Sequence, residues 1–269
     1  MSRIDAALHD LRSLDALAGR DTPLARLDAR AKVVTTLVFI VIVVSFDRYA
    51  VAAMLPLAVF PVVLAVLGDV PAAPLARKVL LAAPFAVLVG IFNPLLDRAP
   101  MLAFGDATVS AGWVSFASIL VRFALSVSAA LVLVASTGMH TLCVALARLG
   151  VPQALTAQLL FLFRYAFVLG AEASRSATAR ELRSGGRALA LSAYGPLGGH
   201  LLLRAFERAQ RIHLAMIARG FDGELRSLRT LHWSWRDTSF VLGWSVFFIV
   251  ARAFDLPQSL GRLLLWAGS

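Results

Sequence analysis

The chain has 269 residues, 59% hydrophobic and 16% charged, with a formal net charge of +10 and a mean hydropathy of +0.78. Soluble domains carry about 25% charged and about 45–50% apolar residues, so this composition excludes an ordinary water-soluble globular protein and points to a membrane protein. One cysteine, Cys143, excludes a disulfide framework and a thiolate metal site.

Residues 1–32 mix Arg, Asp and His and lack the pattern of a cleaved signal. Within them Ile4, Leu8, Leu11, Leu14 and Ala18 oppose Asp5, His9, Arg12 and Asp15, an amphipathic stretch expected on the inner membrane surface. Four apolar stretches follow, 33–46, 49–67, 79–96 and 113–136, and a fifth at 238–254. A spanning helix needs about 20 apolar residues. The first stretch is short and is expected to borrow the turn holding Ala31 and Lys32, whose amine would snorkel to the headgroups. The connections 47–48 and 97–112 make hairpins of spans one and two and of spans three and four.

The positive charges set the orientation. Six of the 26 Lys and Arg residues lie in 1–32, Arg77 and Lys78 lie between spans two and three, and thirteen lie in 139–236. The positive-inside rule puts those three regions in the cytoplasm, with the 47–48 and 97–112 loops outside. The fold class expected is therefore an all-α integral membrane protein of about five spans. Residues 1–32 form a cytoplasmic segment, 33–136 carry spans one to four, 137–236 form an inserted cytoplasmic helical module, and 237–269 carry the last span. Gln153–Leu169 is apolar enough to cross as well. Crossing would strand most later arginines outside and put Gln158 and Arg164 in lipid, so it is expected to lie at the cytoplasmic face or under the other spans.

The module's breakers fall at Gly150–Pro152, Ser184–Gly186, Gly195–Gly199 and Gly220–Gly223, leaving helices of about 11, 32, 9 and 20 residues. On 199–219, at 100° per residue, Leu202, Phe206, Ala209, His213 and Met216 share a stripe about 80° wide. Arg204, Arg208 and Arg211 lie opposite, with Arg219 near that basic side. His213 on the stripe is expected to be packed in a core. A glycine after the last turn suits a left-handed cap, and a last-turn arginine offsets the helix dipole, so one such end needs no function. Here the feature recurs. Helices 36 residues apart at their tips end on Arg183 and Arg219, each followed by glycine within two residues. A guanidinium on a rigid helix end suits a carboxylate-lined groove on another protein.

These residues resemble the transmembrane (T) subunit of energy-coupling-factor (ECF) ABC transporters, specifically the cobalt-type CbiQ branch. Ala218-Arg219-Gly220 matches the second coupling motif of that family in full. Leu182-Arg183-Ser184 matches the first only at its arginine. Leu27–Lys32 ("LDARAK") is similar to the family's sequence leading into its first span, and Phe92–Leu96 ("FNPLL") to its third span. The resemblance implies a coupling subunit of an ECF importer in the bacterial inner membrane, with cobalt as its cargo and nickel or a vitamin as the alternative. It implies an ABC-type ATPase dimer docking on Arg183 and Arg219, and a CbiM-like substrate-binding membrane subunit, with or without a small CbiN-like one. ATP and Co2+ would be handled by those partners, with no cofactor on this chain.

Several other features weigh on function. No G-x-x-x-x-G-K-[ST] loop occurs, so no ATPase is expected here. The five histidines show no metal-ligand spacing. The module's arginines, placed beside spans, favour headgroups and an acidic protein groove over nucleic acid. A membrane-embedded lipid-modifying transferase would need clustered carboxylates or histidines, and Glu172, Glu181, Glu207, Asp222 and Glu224 are dispersed. Arg122, about nine residues into span four, calls for a partner: a carbonyl freed by Pro84 or Pro94, a neighbouring subunit, or an interface reached by snorkelling. Asn93-Pro94 either ends span three or shapes a groove for the substrate subunit.

Overall fold

The computed structural model describes residue 15 and residues 17–97, 100–104, 107–185, 194–222 and 231–253. The expected amphipathic stretch 4–18 falls largely outside these, as do the nine-residue helix expected before Tyr194 and residues 223–230. The described chain divides into two compact units: a core of 17–137 and 231–253, and a module of 138–222 with Asp15.

The core is helical apart from one hairpin. Helix α1 (Ala29–Val44) begins at Asp28, whose carboxylate caps the Arg30 N–H. The next apolar stretch is broken: α2 (Val51–Met54) passes through a 3-10 turn, Leu55–Ala58, into α3 (Val59–Leu67). Pro56 sits at the head of that turn, where its missing N–H costs little. Helix α4 (Ala72–Gly90) starts before Arg77 and Lys78, which are therefore helical rather than in a loop. It gives way at Ile91 to the short α5 (Phe92–Leu96), ahead of the Asn93-Pro94 pair.

The 97–112 connection holds a β-hairpin, β1 (Pro100–Phe104) against β2 (Ala107–Ser110), antiparallel with an irregularity between Pro100 and Leu102. The chain is all-helical as expected in its main architecture, and this hairpin is the local departure from it among the described residues. Alternation over such short strands is too brief to read in so apolar a sequence.

Helix α6 (Ala111–Thr137) packs against all five preceding helices. Small residues permit this. A Cβ on Gly112 would lie 2.5 Å from the Asn93 carbonyl oxygen and 2.6 Å from that of Asp97, and one on Gly90 would lie 2.8 Å from the Phe116 ring. The last core helix, α10 (Trp235–Ala253), lies along α1. Where they meet, Phe60 stacks among Phe39, Trp244 and Phe248, at ring separations of 4.6, 4.9 and 5.0 Å.

The module contains α7 (Met139–Arg148), α8 (Gln153–Arg183) and α9 (Tyr194–Ala218), with α8 packed on both others. Helix α9 starts five residues earlier than expected. Pro196 falls in its first turn, where backbone N–H groups have no intrahelical acceptor, so the Gly-Pro segment opens the helix instead of ending one.

Among the described residues three helical stretches have the length and composition of a membrane span: 72–94, 111–137 and 153–183. The chain is thus a membrane protein, but the tally differs from the five expected. Residues 29–44 and 51–67 are short, and α10 includes Arg236, Asp237 and Arg252 among its 19 residues. Helix α8, expected not to cross, qualifies by the same measure.

Candidate functional site

The two arginine-tipped helices of the module end in related ways. After α9, Gly220 takes a left-handed φ of 80°. Its N–H donates to the Ile217 carbonyl at 2.9 Å, and the Phe221 N–H donates to the Met216 carbonyl at 3.0 Å. That pair of bonds is a Schellman cap. After α8, Gly185 takes φ 69° and its N–H donates to the Leu182 carbonyl at 3.3 Å. The register differs. Arg219 immediately precedes its left-handed glycine, whereas Ser184 stands between Arg183 and Gly185. One residue of offset turns a helical side chain by about 100° and moves it about 1.5 Å, so the tips are related but not copies. Ala218, Arg219, Gly220 and Arg183 are all exposed. Neither arginine makes an ion pair among the described residues.

The two helices are joined behind their tips by one carboxylate. Glu172, buried on α8, accepts from Arg204 at 2.9 Å and from Arg208 at 3.0 Å. This corrects the expected orientation of α9, since two arginines of its basic side turn inward to α8. The face turned to α8 is Leu201, Ala205, Arg208, Ile212 and Met216, one step round from the expected stripe. Leu202 and Phe206 are left 59% and 61% exposed. A buried carboxylate demands charged donors, and that demand outweighs burial of an apolar stripe that lipid or a partner can cover. His213 is accordingly no core histidine. It is exposed and lines an apolar groove of about 270 Å3 with Phe161, Tyr165, Leu169, Ile212 and Met216. On the other side of the Glu172 junction lies a wider, cationic groove of about 750 Å3, with Arg175, Arg180, Arg183 and Arg204 among its lining residues.

Arg122 belongs to the core unit. One terminal nitrogen donates to the carbonyls of Phe46 and Asp47, each at 2.7 Å. Its partners are thus the carbonyls beyond the end of α1, not any freed by Pro84 or Pro94. Arg252, from α10, donates to the Ser45 carbonyl at 2.8 Å and lies 4.5 Å from the Phe46 ring centre. Two arginines from helices distant in sequence therefore grip one helix end, where free carbonyls and the dipole favour positive charge. Asn93 donates from its amide to the Ser115 hydroxyl at 3.1 Å, tying α5 to α6.

At the opposite end of α1 is a buried polar junction that sequence reasoning passed over. Asp237 accepts from the Asp28 N–H at 2.7 Å, and from the Ser234 N–H and hydroxyl at 2.7 and 2.8 Å. Arg30 forks onto the Asp28 carboxylate at 2.9 and 3.1 Å and stacks 5.5 Å from the Trp233 ring. Burial alone would raise the Asp28 carboxyl, but hydrogen bonds from the Arg30 side chain and backbone, with Lys32 nearby, hold it below the usual carboxylate range. Lys32 does not snorkel. It is 4% exposed and its amine lies 3.5 Å from the Ser136 carbonyl in the last turn of α6. The signal was present in Leu27–Lys32, a helix N-cap followed at once by two cations.

Among the described residues no three His, Cys, Asp or Glu side chains gather as a metal site would require. Cys143 is buried, and burial raises its thiol pKa.

Comparison with known proteins adds two findings. A family model described as CbiQ, cobalt transport protein, matches residues 20–230, which include both cores of the resemblance, the Leu27–Lys32 segment and the two helix ends. An uncharacterized protein of Methanocaldococcus jannaschii is 32% identical over 107 residues, 39% of this chain. That match spans 40% of the relative's own length.

Proposed function

The chain belongs to the CbiQ family of cobalt transport proteins, and from that premise we propose that it is the coupling subunit of an ECF-type importer. In this reading the module of 138–222 lies in the cytoplasm, and a pair of ABC-type ATPases grips Arg183 and Arg219. ATP binding draws the ATPases together, α8 and α9 move, and a separate CbiM-like membrane subunit reorients to release its ion. Cobalt is the cargo favoured by the family's description. Nickel or a vitamin would require the same coupling device, and neither ATP nor the ion needs a site on this chain.

The observation that carries the reading is the pair of exposed arginines at capped helix ends, inside the stretch matched by the family model. A guanidinium offers a planar fork to a carboxylate. A Schellman cap fixes the last turn, so that the fork is presented by a stiff rod, and Glu172 ties the two rods together through Arg204 and Arg208. A pull on one tip is therefore passed to the other helix.

Arg219→Glu is the test. The variant is expected to insert into the membrane normally yet lose its ATPase partners on co-purification, and with them uptake of radiolabelled cobalt. Unpairing a buried charge costs about 3–5 kcal/mol, more than a hundredfold in affinity. Full retention of the ATPases by this variant would refute the assignment. Running the uptake assay with nickel and biotin in parallel fixes the cargo.

A further inference from the structure

The cationic groove between α8 and the first half of α9 is not used by the coupling reading, except at its Arg183 end. It encloses about 750 Å3 and is lined by Arg175, Arg180, Arg183 and Arg204, with His200 and the carboxylate Glu172. Four guanidiniums face one carboxylate, and that carboxylate is already answered from two sides: Arg204 binds one of its oxygens and Arg208, outside the groove, binds the other. Arg175 and Arg180 have no ion pair among the described residues. A cleft in which guanidiniums outnumber carboxylates raises the local concentration of anions, and arginine forks match phosphate oxygens best.

The position of the groove along α8 identifies the source of the anion. The half of α8 before the groove exposes Leu155, Leu162 and Val168, at 57%, 67% and 37%. Beside the groove α9 exposes Leu202, Leu203 and Phe206. Arg175 follows Val168 by seven residues, about 10 Å of helix. A bilayer passes from hydrocarbon through its headgroups over about 5–8 Å on each side, so that length of helix is enough to cross the boundary. An apolar surface that lipid tails can cover thus runs directly into a pocket of guanidiniums. We propose that this groove binds the phosphate of an anionic phospholipid headgroup, and so anchors α8 and α9 at the membrane surface. The proposal rests on the cytoplasmic, membrane-facing placement of the module, but not on any ATPase contact of Arg219.

The experiment uses the full chain in detergent with added lipid, counting bound lipids by native mass spectrometry. Arg175→Gln with Arg180→Gln removes two charges and leaves the Glu172 junction intact. Phosphatidylglycerol binding is expected to weaken about thirtyfold, from about 1 kcal/mol per arginine at 1.4 kcal/mol per decade. Phosphatidylcholine retention should not change. Arg175→Lys with Arg180→Lys keeps the charge and is expected to bind phosphatidylglycerol within a few-fold of the original chain, which separates loss of the site from loss of the fold. Wild-type phosphatidylglycerol binding by the glutamine pair overturns the proposal. So does loss of binding in both pairs alike. Displacement of the lipid by an equal concentration of inorganic phosphate would assign the groove to a soluble phosphate instead. Should the glutamine pair keep the lipid but lose the ATPases, the groove is a protein contact. Arg219→Glu is expected to bind lipid as the original chain does, so the two ideas fail independently.

Discussion

The core and the module are built from the same helical material but bury different things. In the core, large side chains are shut away: Phe39, Phe60 and Phe248 are fully buried, as are Met54 and Leu57. Each end of α1 is closed by a dedicated polar device, Asp28, Asp237 and Lys32 at one end and Arg122 and Arg252 at the other. In the module, the side chains buried are small, such as Cys143, Ala145, Ala157, Ser174 and Ala177, and the one large polar exception is Glu172. Its big apolar residues point outward. A membrane relaxes the usual demand that apolar surface be hidden, because lipid is as apolar as leucine. What it does not relax is the demand that polar groups be paired. The core meets most of that demand within itself, leaving among its described residues the Thr36, Ser118 and Thr137 hydroxyls and the Arg122 Nε without a partner. The module pairs Glu172 and leaves most of its described arginines outward, which is how a surface built for other molecules looks.

The largest test of this contrast is Asp237→Ala. Three donors converge on that carboxylate, and the buried Asp28 N–H would be left without its acceptor. A loss of about 3 kcal/mol is expected, read as a lower unfolding midpoint of the purified chain in detergent. Asp237→Asn keeps one acceptor and should fall between. A midpoint unchanged by the alanine would mean that the junction does not hold α10 to α1.

A second test probes packing instead of polarity. Phe60→Ala removes the ring that touches Phe39, Trp244 and Phe248. In water the cost would combine a transfer and a cavity term. In lipid only the cavity term survives, so about 2 kcal/mol is expected on the same unfolding assay. A cost as large as that of Asp237→Ala would show that ring packing ranks equally with polar pairing in this core.

How far the sequence alone reveals these devices follows from their range. Helix α6 was expected at 113–136 and occurs at 111–137, because a 24-residue stretch that is apolar apart from serines and Arg122, with no Pro or Gly, has one reading. Gly185 and Gly220 stand where caps were expected, because a left-handed turn after a helix selects glycine locally. The Asp28–Asp237 bond joins residues 209 apart, and nothing in either neighbourhood names the other. Arg122 was legible as a demand for a partner but not as the Phe46 and Asp47 carbonyls, 76 and 75 residues away. The rotation of α9 was hidden for a related reason. Periodicity counts apolar residues, whereas one acid on another helix decided which face turned inward.

That acid supplies the smallest test and the one that bears most directly on coupling. Glu172→Ala leaves Arg204 and Arg208, side chains 50% and 33% exposed, free to return to water. The cost should therefore be modest, about 1 kcal/mol, and confined to the crossing of α8 and α9. Hydrogen exchange should accelerate over 165–180 and 200–212 while the 29–44 stretch stays as protected as before. If α1 loosens too, the core and the module are one cooperative unit, and the contrast drawn between them is false. If only the crossing loosens, the transport readout becomes decisive. If the proposed coupling role is right, two rods no longer tied together should still retain the ATPases on co-purification, yet pass less of each stroke between them. Uptake should then fall while co-purification does not, which is the pattern that distinguishes a linkage between coupling helices from a docking contact.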